Sequence, residues 1–158
     1  MGEKPAMGCI LLINELDENI VYTDSSFTHG KLTGYTEVIP KSIIVPQPDG
    51  SNHVYASSGF CTGSKRDKAL IGVQAVLTFK GSTMGKEFNI GFDCPLSSLY
   101  VDNNCYCSVG GSAEDAAKKT DDNNNQERTD EKDGYGISIK CNSGSGSAAY
   151  YIARICKK

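Results

Sequence analysis

The side chains best suited to bond-making or metal chemistry in this 158-residue chain are seven cysteines and two histidines. Cys9, Cys61, Cys94, Cys105, Cys107, Cys141 and Cys156 are an odd set, so a monomer keeps at least one free thiol. Only Cys105-x-Cys107 is a close pair, and on a strand both side chains fall on one face. A zinc site wants a second close pair or nearby histidines, whereas His29 and His53 are distant in sequence. Buried thiols, or one to three disulfides of open connectivity, are the expectation. A cysteine nucleophile would need a histidine delivered by the fold, and no Gly-x-Ser-x-Gly elbow is present. Asp121-x-Asn123-x-Asn125 starts like a calcium loop. Gln126 then stands where the glycine belongs, and Lys132 where the bidentate glutamate belongs. The chain therefore reads as a non-enzyme with no cofactor and no metal.

A chain of this length is expected to form one domain, residues 1–158, with its own core. Eight tyrosines, five phenylalanines and seventeen glycines, with few helix-forming runs, favour an all-β class. The net charge of −3 argues against a nucleic-acid partner. The acidity is local, because residues 114–133 hold eight acids and four bases, a charge of −4 that leaves about +1 elsewhere. No apolar run reaches the roughly 18 residues of a membrane-spanning helix. Ile10 to Ile13 is too short for a signal-peptide core, and Ala6 replaces the Ser or Thr of a myristoylation signal. The expected localisation is secretion or release without a recognisable signal, action at a target membrane, and storage in the cytosol as an option.

The elements that would position any site centre on residues 69–107. Ala69, Ile71, Val73, Ala75, Leu77 and Phe79 alternate with a mixed set, which predicts a long strand with one face buried. Gly81 to Gly85 supplies a turn, and Phe88, Ile90 and Phe92 repeat the alternation from Glu87 to Asp93, making a β-hairpin. Pro95, which has no N–H to donate, must end that ladder. A further apolar run covers Leu99 to Val109. Before the hairpin, Cys9–Asn14 reads as a first strand with Ile20–Tyr22 as its partner. Thr36–Val45 is broken by Pro40, residues 46–50 form a turn, and residues 52–57 a short strand. Gly59–Lys68 reads as a loop. After the hairpin, Ser112 to Lys119 predicts a short helix with Ser112 as N-cap. Residues 121–133 read as a polar, solvated loop, and Tyr135–Cys141 and Ala149–Cys156 as closing strands around a Gly/Ser loop. The sum is a β-sandwich of eight to ten strands with one short helix.

The order of these features resembles the central hairpin of the actinoporin-like cytolysins and their aegerolysin relatives. A strand opens Gly72-x-x-Ala75, a glycine-containing turn follows, and the second strand ends Phe92-Asp93-Cys94-Pro95, with Asn103 eight residues beyond the proline. Asp93-Cys94-Pro95 matches a triplet common in aegerolysins, and Gly134-Tyr135-Gly136 opens a strand as a similar triplet does in actinoporins. The likeness covers roughly residues 43–155.

The resemblance implies a soluble, non-enzymatic sandwich that recognises sphingolipid or phospholipid headgroups, with a cytolytic role. Position by position, Pro95 corresponds to the actinoporin headgroup proline and Asp93 replaces the serine. Tyr100 falls beside the first tyrosine position, while the remaining tyrosine positions fall near Ala113, Ala117 and Lys118 and are lost. An aromatic cage for a quaternary ammonium is then incomplete, although Asp93 would attract a choline or ethanolamine cation. A first strand at Cys9 leaves no room for an actinoporin's amphipathic helix, and there is no tryptophan. The expectation is closer to an aegerolysin, lysing by self-association or with a second pore-forming protein. The expected ligand-binding residues are Asp93, Pro95, Ser97, Ser98, Tyr100, Asn103 and Tyr106. One alternative is a lectin of the same fold, holding glycans through Ser97, Ser98, residues 102–104 and residues 142–147, with Tyr100 stacking. Another is a cysteine-rich secreted effector with no membrane activity.

Overall fold

The computed structural model describes residues 6–68, 72–96, 102–142 and 148–158. The alternation that marks the hairpin becomes β8 (Val73–Gly81) and β9 (Glu87–Cys94), paired antiparallel from Val73↔Cys94 to Lys80↔Glu87. Ala69 and Ile71, at the start of the same alternation, lie outside the described residues. The turn between the strands is held from outside itself. Glu18 Oε2 accepts from the Thr83 and Met84 N–H groups at 2.7 and 3.0 Å. Pro95 follows the last ladder residue, as a residue without a donor should.

Two sheets face each other. One runs β10-β9-β8-β2-β4, with β10 Asn104–Val109, β2 Ile20–His29 and β4 Val38–Ile39. The other runs β11-β12-β13-β1-β7-β3, with β11 Glu127–Lys132, β12 Tyr135–Cys141, β13 Ala148–Lys157, β1 Met7–Asn14, β7 Ser57–Ser64 and β3 Lys31–Tyr35. A separate two-stranded ribbon joins β5 (Ile43–Pro46) to β6 (Asn52–Tyr55) through a turn where Gly50 takes a positive φ of 84°. β1 and β13 pair in parallel at the centre of the larger sheet. The core between the sheets takes Val73, Ala75, Leu77 and Phe79 from β8, and Phe88, Ile90 and Phe92 from β9. Facing them are Ile10 and Leu12 of β1 and Ala149, Tyr151, Ala153 and Ile155 of β13. Burial of these side chains is the main stabilising term of the sandwich.

β8 is buried on its second face too, because helix α1 (Ala113–Asp121) lies across it and packs Ala116 against Val76 and Tyr106. Ser112 caps the helix, its Oγ accepting from the Asp115 N–H at 3.0 Å. The helix runs two residues past the expected Lys119. Close contact depends on Gly91, where an added Cβ would sit 2.0 Å from Thr120 Oγ1.

Four expectations need correction. The described residues hold thirteen strands, not eight to ten. Gly59–Lys68 is not a loop over its first half but most of β7, whose inward residues Gly59, Cys61 and Gly63 are small and so lack an obvious apolar signature. A Cβ at Gly63 would come within 3.1 Å of the rings of both Phe27 and Phe92. Residues 127–132 are not solvated loop but the edge strand β11, whose polar face is the usual way to blunt an edge. Ile20–Tyr22 opens β2, which pairs with β8 and β4 and not with β1.

Candidate functional site

Asp93 sits on β9 between Gln74 of β8 and Asn104 of β10, its direct cross-strand neighbours. The strand period puts all three on one face, so the short strand ends build a polar row out of three separate segments. Asn104 Nδ2 donates to Asp93 Oδ2 at 3.2 Å. Gln74 Nε2 donates to Oδ1 of Asp121 at 3.1 Å, bringing the last residue of α1 against the row. Burial pushes the Asp93 carboxyl up to about 6, and the charge of Asp121 adds to the effect. Asn103 Oδ1 and Asn104 Oδ1 are buried beside this row with no hydrogen-bond partner among the described residues.

Asn103 is fully buried. Its Nδ2 donates to the Asn142 carbonyl at 3.3 Å, and its own carbonyl accepts from Gln126 Nε2 at 2.9 Å. The described flanks of residues 97–101 and 143–147 therefore meet at one end of the sandwich. Pro95 is half-buried there, and a Cβ on Gly72 would lie 2.8 Å from its Cα. Asp93, Pro95 and Asn103 are thus gathered at one end, with Asn103 as a structural tie below the surface. Ser97, Ser98 and Tyr100 lie outside the described residues.

Tyr106 is not at this surface. Its buried ring is covered by α1 and carries the Arg128 guanidinium at 4.4 Å from its centroid, a cation–π contact that also anchors β11. Of the other tyrosines, Tyr151 is buried, while Tyr35, Tyr55 and Tyr150 are exposed. The calcium-like run does other work. The Asn123 side chain donates to the Lys119 carbonyl, closing the helix, and its Oδ1 accepts from the Asn125 N–H at 3.0 Å. All seven cysteines are thiols. Cys105 and Cys107 do share a buried face, and Cys105 and Cys141 share a hydrogen bond that, with burial, pushes Cys105 up.

A second feature escaped the sequence reading. The outer face of the larger sheet carries a groove of about 500 Å³ lined by Tyr150, Ile152 and Arg154 of β13, Ser138 and Lys140 of β12, and Glu127 of β11. The alternation of β13 was legible. That two of its outward residues, Tyr150 and Ile152, are apolar was the available signal.

No protein-family model and no curated protein matches the chain. Solved structures do. The lipid-binding protein Nakanori superimposes with a TM-score of 0.71 at 13% identity, over 94% of this chain and 71% of that one. RahU, solved with a Tris molecule, gives 0.60 at 10% identity over 97% and 96%. The Xerocomus chrysenteron lectin XCL gives 0.59 at 8% identity over 96% and 99%. At these identities the likeness establishes the fold: an all-β sandwich of the kind found in a lipid-binding protein and a lectin.

Proposed function

We propose that the protein binds membrane-lipid headgroups non-enzymatically at the Asp93 end of the sandwich. The observation that carries this is the half-buried Asp93 carboxylate, set in a row with Gln74 and Asn104 and facing a second carboxylate, Asp121. A half-buried acid with the charge of an exposed second acid, Asp121, acting on it favours a cation, and the ammonium of a choline or ethanolamine headgroup supplies one. Pro95, Ser97, Ser98 and Tyr100 belong to the same contact in this reading. The likeness to a lipid-binding protein supports the class of ligand. Lysis, where it occurs, requires self-association or a partner protein.

The test is co-sedimentation and dye release with vesicles of phosphatidylcholine alone, or supplemented with sphingolipid or with anionic lipid. Binding lost in Asp93→Asn, without release, is the expected result. Release by the protein alone would show that it permeabilises membranes unaided. Failure to bind any mixture would reject the headgroup reading, and a glycan array would then test the lectin alternative at the same end of the fold.

A further inference from the structure

Among the described residues, two apolar surfaces are left uncovered. The first is the β5–β6 ribbon, which stands outside both sheets with every strand residue exposed. Ile43, Ile44, Val45, Val54 and Tyr55 show between 38% and 62% of their surface, and neither strand carries a formal charge. Cross-strand pairs Ile43↔Tyr55 and Ile44↔Val54 put apolar side chains on both faces of the ribbon. A bare two-stranded hairpin is marginal in water, and apolar residues on both its faces are a cost unless something covers them.

The second surface is the outer face of the larger sheet. Its ladders align Phe60, Leu11 and Ile152 in one continuous row across β7, β1 and β13. Met7 and Tyr150 flank the row, and these five residues are between 39% and 59% exposed. The row continues through Lys140 to Glu127, which form an ion pair at 3.8 Å, and the 500 Å³ groove lies along this part. Arg154, at the groove's other border, is paired with Glu15 at 2.7 Å. The bordering charges already have partners, so an uncharged visitor would strand none of them.

We infer that the β5–β6 ribbon of one copy docks on this sheet face of a second copy. Area supports that choice of occupant. Aromatic and branched side chains of these sizes, exposed to this degree, present roughly 500 Å² on the sheet face and roughly 300 Å² on the ribbon side that carries Ile43, Val45 and Tyr55. One ribbon-on-face contact would then cover about 800 Å² of apolar surface, close to the apolar share of a standard interface of about 1,600 Å². A face-to-face dimer would cover the sheet and leave the ribbon bare, whereas the head-to-tail contact covers the sheet face and the broader apolar side of the ribbon with one repeated joint. Placement agrees. The ribbon leaves the body beside the end of β1, where Ser57 pairs with Asn14 and Lys41 accepts from Ser57 Oγ, opposite the end that holds Asp93. A ligand or membrane met at the Asp93 end leaves ribbon and sheet face free for neighbours. Such a heterologous contact closes into a ring or runs on as a filament.

The test uses the full chain in sedimentation velocity across a concentration series, with Ile43→Asp on the ribbon and Ile152→Asp on the face. Both positions are exposed, so the fold should be kept, as far-UV circular dichroism and a thermal melt would verify. Wild type should form species larger than a monomer, and each variant alone should weaken assembly by at least roughly tenfold. An equimolar mixture should give a one-to-one dimer and nothing larger, since only one intact ribbon can meet one intact face. Met84→Asp, on an exposed turn that belongs to neither surface, should assemble like wild type. A monomeric wild type at every concentration would overturn the inference. So would unchanged assembly of Ile43→Asp, which would indicate face-to-face pairing, or a mixture that stays monomeric. A monomeric protein whose ribbon variant loses vesicle binding would assign the ribbon to membranes instead.

Discussion

The Tyr151 hydroxyl donates to the backbone carbonyl of Asp93 at 2.8 Å, tying the central strand β13 to β9 across the core at the candidate site. Tyr151 also meets Phe92 with ring centroids 5.6 Å apart, and its register partner in the parallel ladder is Ile10. Burial pushes its phenol well above the ordinary range, so the hydroxyl stays a donor at every physiological pH. The link therefore joins the inner architecture to the backbone that carries the Asp93 carboxylate. Tyr151→Phe keeps the ring packing and strands a buried acceptor. It should cost about 1–2 kcal/mol of stability, read as a lower urea midpoint at unchanged m-value.

Asp93 makes a two-part pH prediction. Its folded value of about 6 lies above the ordinary 3.8, so the folded chain holds more protons than the unfolded chain between those values. Stability from this group therefore falls as pH rises from about 4 to about 6 and then levels off. Headgroup binding, which uses the ionised carboxylate, should rise over the same range with a midpoint near 6. Asp93→Asn should flatten both profiles and gain on the order of 2 kcal/mol of stability at pH 7. A binding profile unchanged by the substitution would remove Asp93 from the site.

The hairpin was legible because its inward positions are large: Leu77, Phe79, Phe88, Ile90 and Phe92 stand out at period two. β7 was not, because Phe27, Phe92 and Ile39 fill the space that side chains at Gly59 and Gly63 would take, so the strand's inward residues are small. β11 was not, because an edge strand needs only one partner, and Glu127 to Lys132 meets β12 with polar residues outward. At the candidate site, the Asp93–Pro95 segment was singled out through its resemblance to the actinoporin and aegerolysin hairpin. Gln74 and Asp121 were not, because they reach Asp93 through strand pairing and helix docking between residues far apart in sequence. Tyr106 stood among the expected ligand-binding residues because nothing local shows that α1 and Arg128 cover its ring.

The thiols should divide into two classes. Cys61, Cys94, Cys105, Cys107 and Cys141 are buried, and burial pushes Cys61 and Cys107 up to about 12 and Cys94 to about 11. A thiol that is both inaccessible and protonated is a poor nucleophile. Cys9 and Cys156 are the partly exposed pair. Alkylation of the reduced native protein at pH 8, followed by mass mapping, should label Cys9 and Cys156 first and the other five only on unfolding. Early labelling at Cys94 would mean that the backbone beside Pro95 opens readily.

Helix α1 is held close to the sheet by the lack of a side chain at Gly91, and a double-mutant cycle can measure that dependence. An added Cβ would lie 2.0 Å from Thr120 Oγ1, and 3.2 Å from both Thr120 Cβ and Tyr106 Cβ. The Thr120 hydroxyl has one role of its own, donating to the Ala116 carbonyl at 2.7 Å inside the helix. Gly91→Ala should cost about 2 kcal/mol as α1 is forced off Val76 and Tyr106. Thr120→Ala alone, losing a local hydrogen bond and a little volume, should cost about 1 kcal/mol. In the double variant the hydroxyl that clashes is gone, while the 3.2 Å contacts can be absorbed by small shifts. Its cost should then fall below the sum of the single costs by roughly 1 kcal/mol or more. Additive costs would mean that the helix already rides far enough from β9 to accept a methyl group.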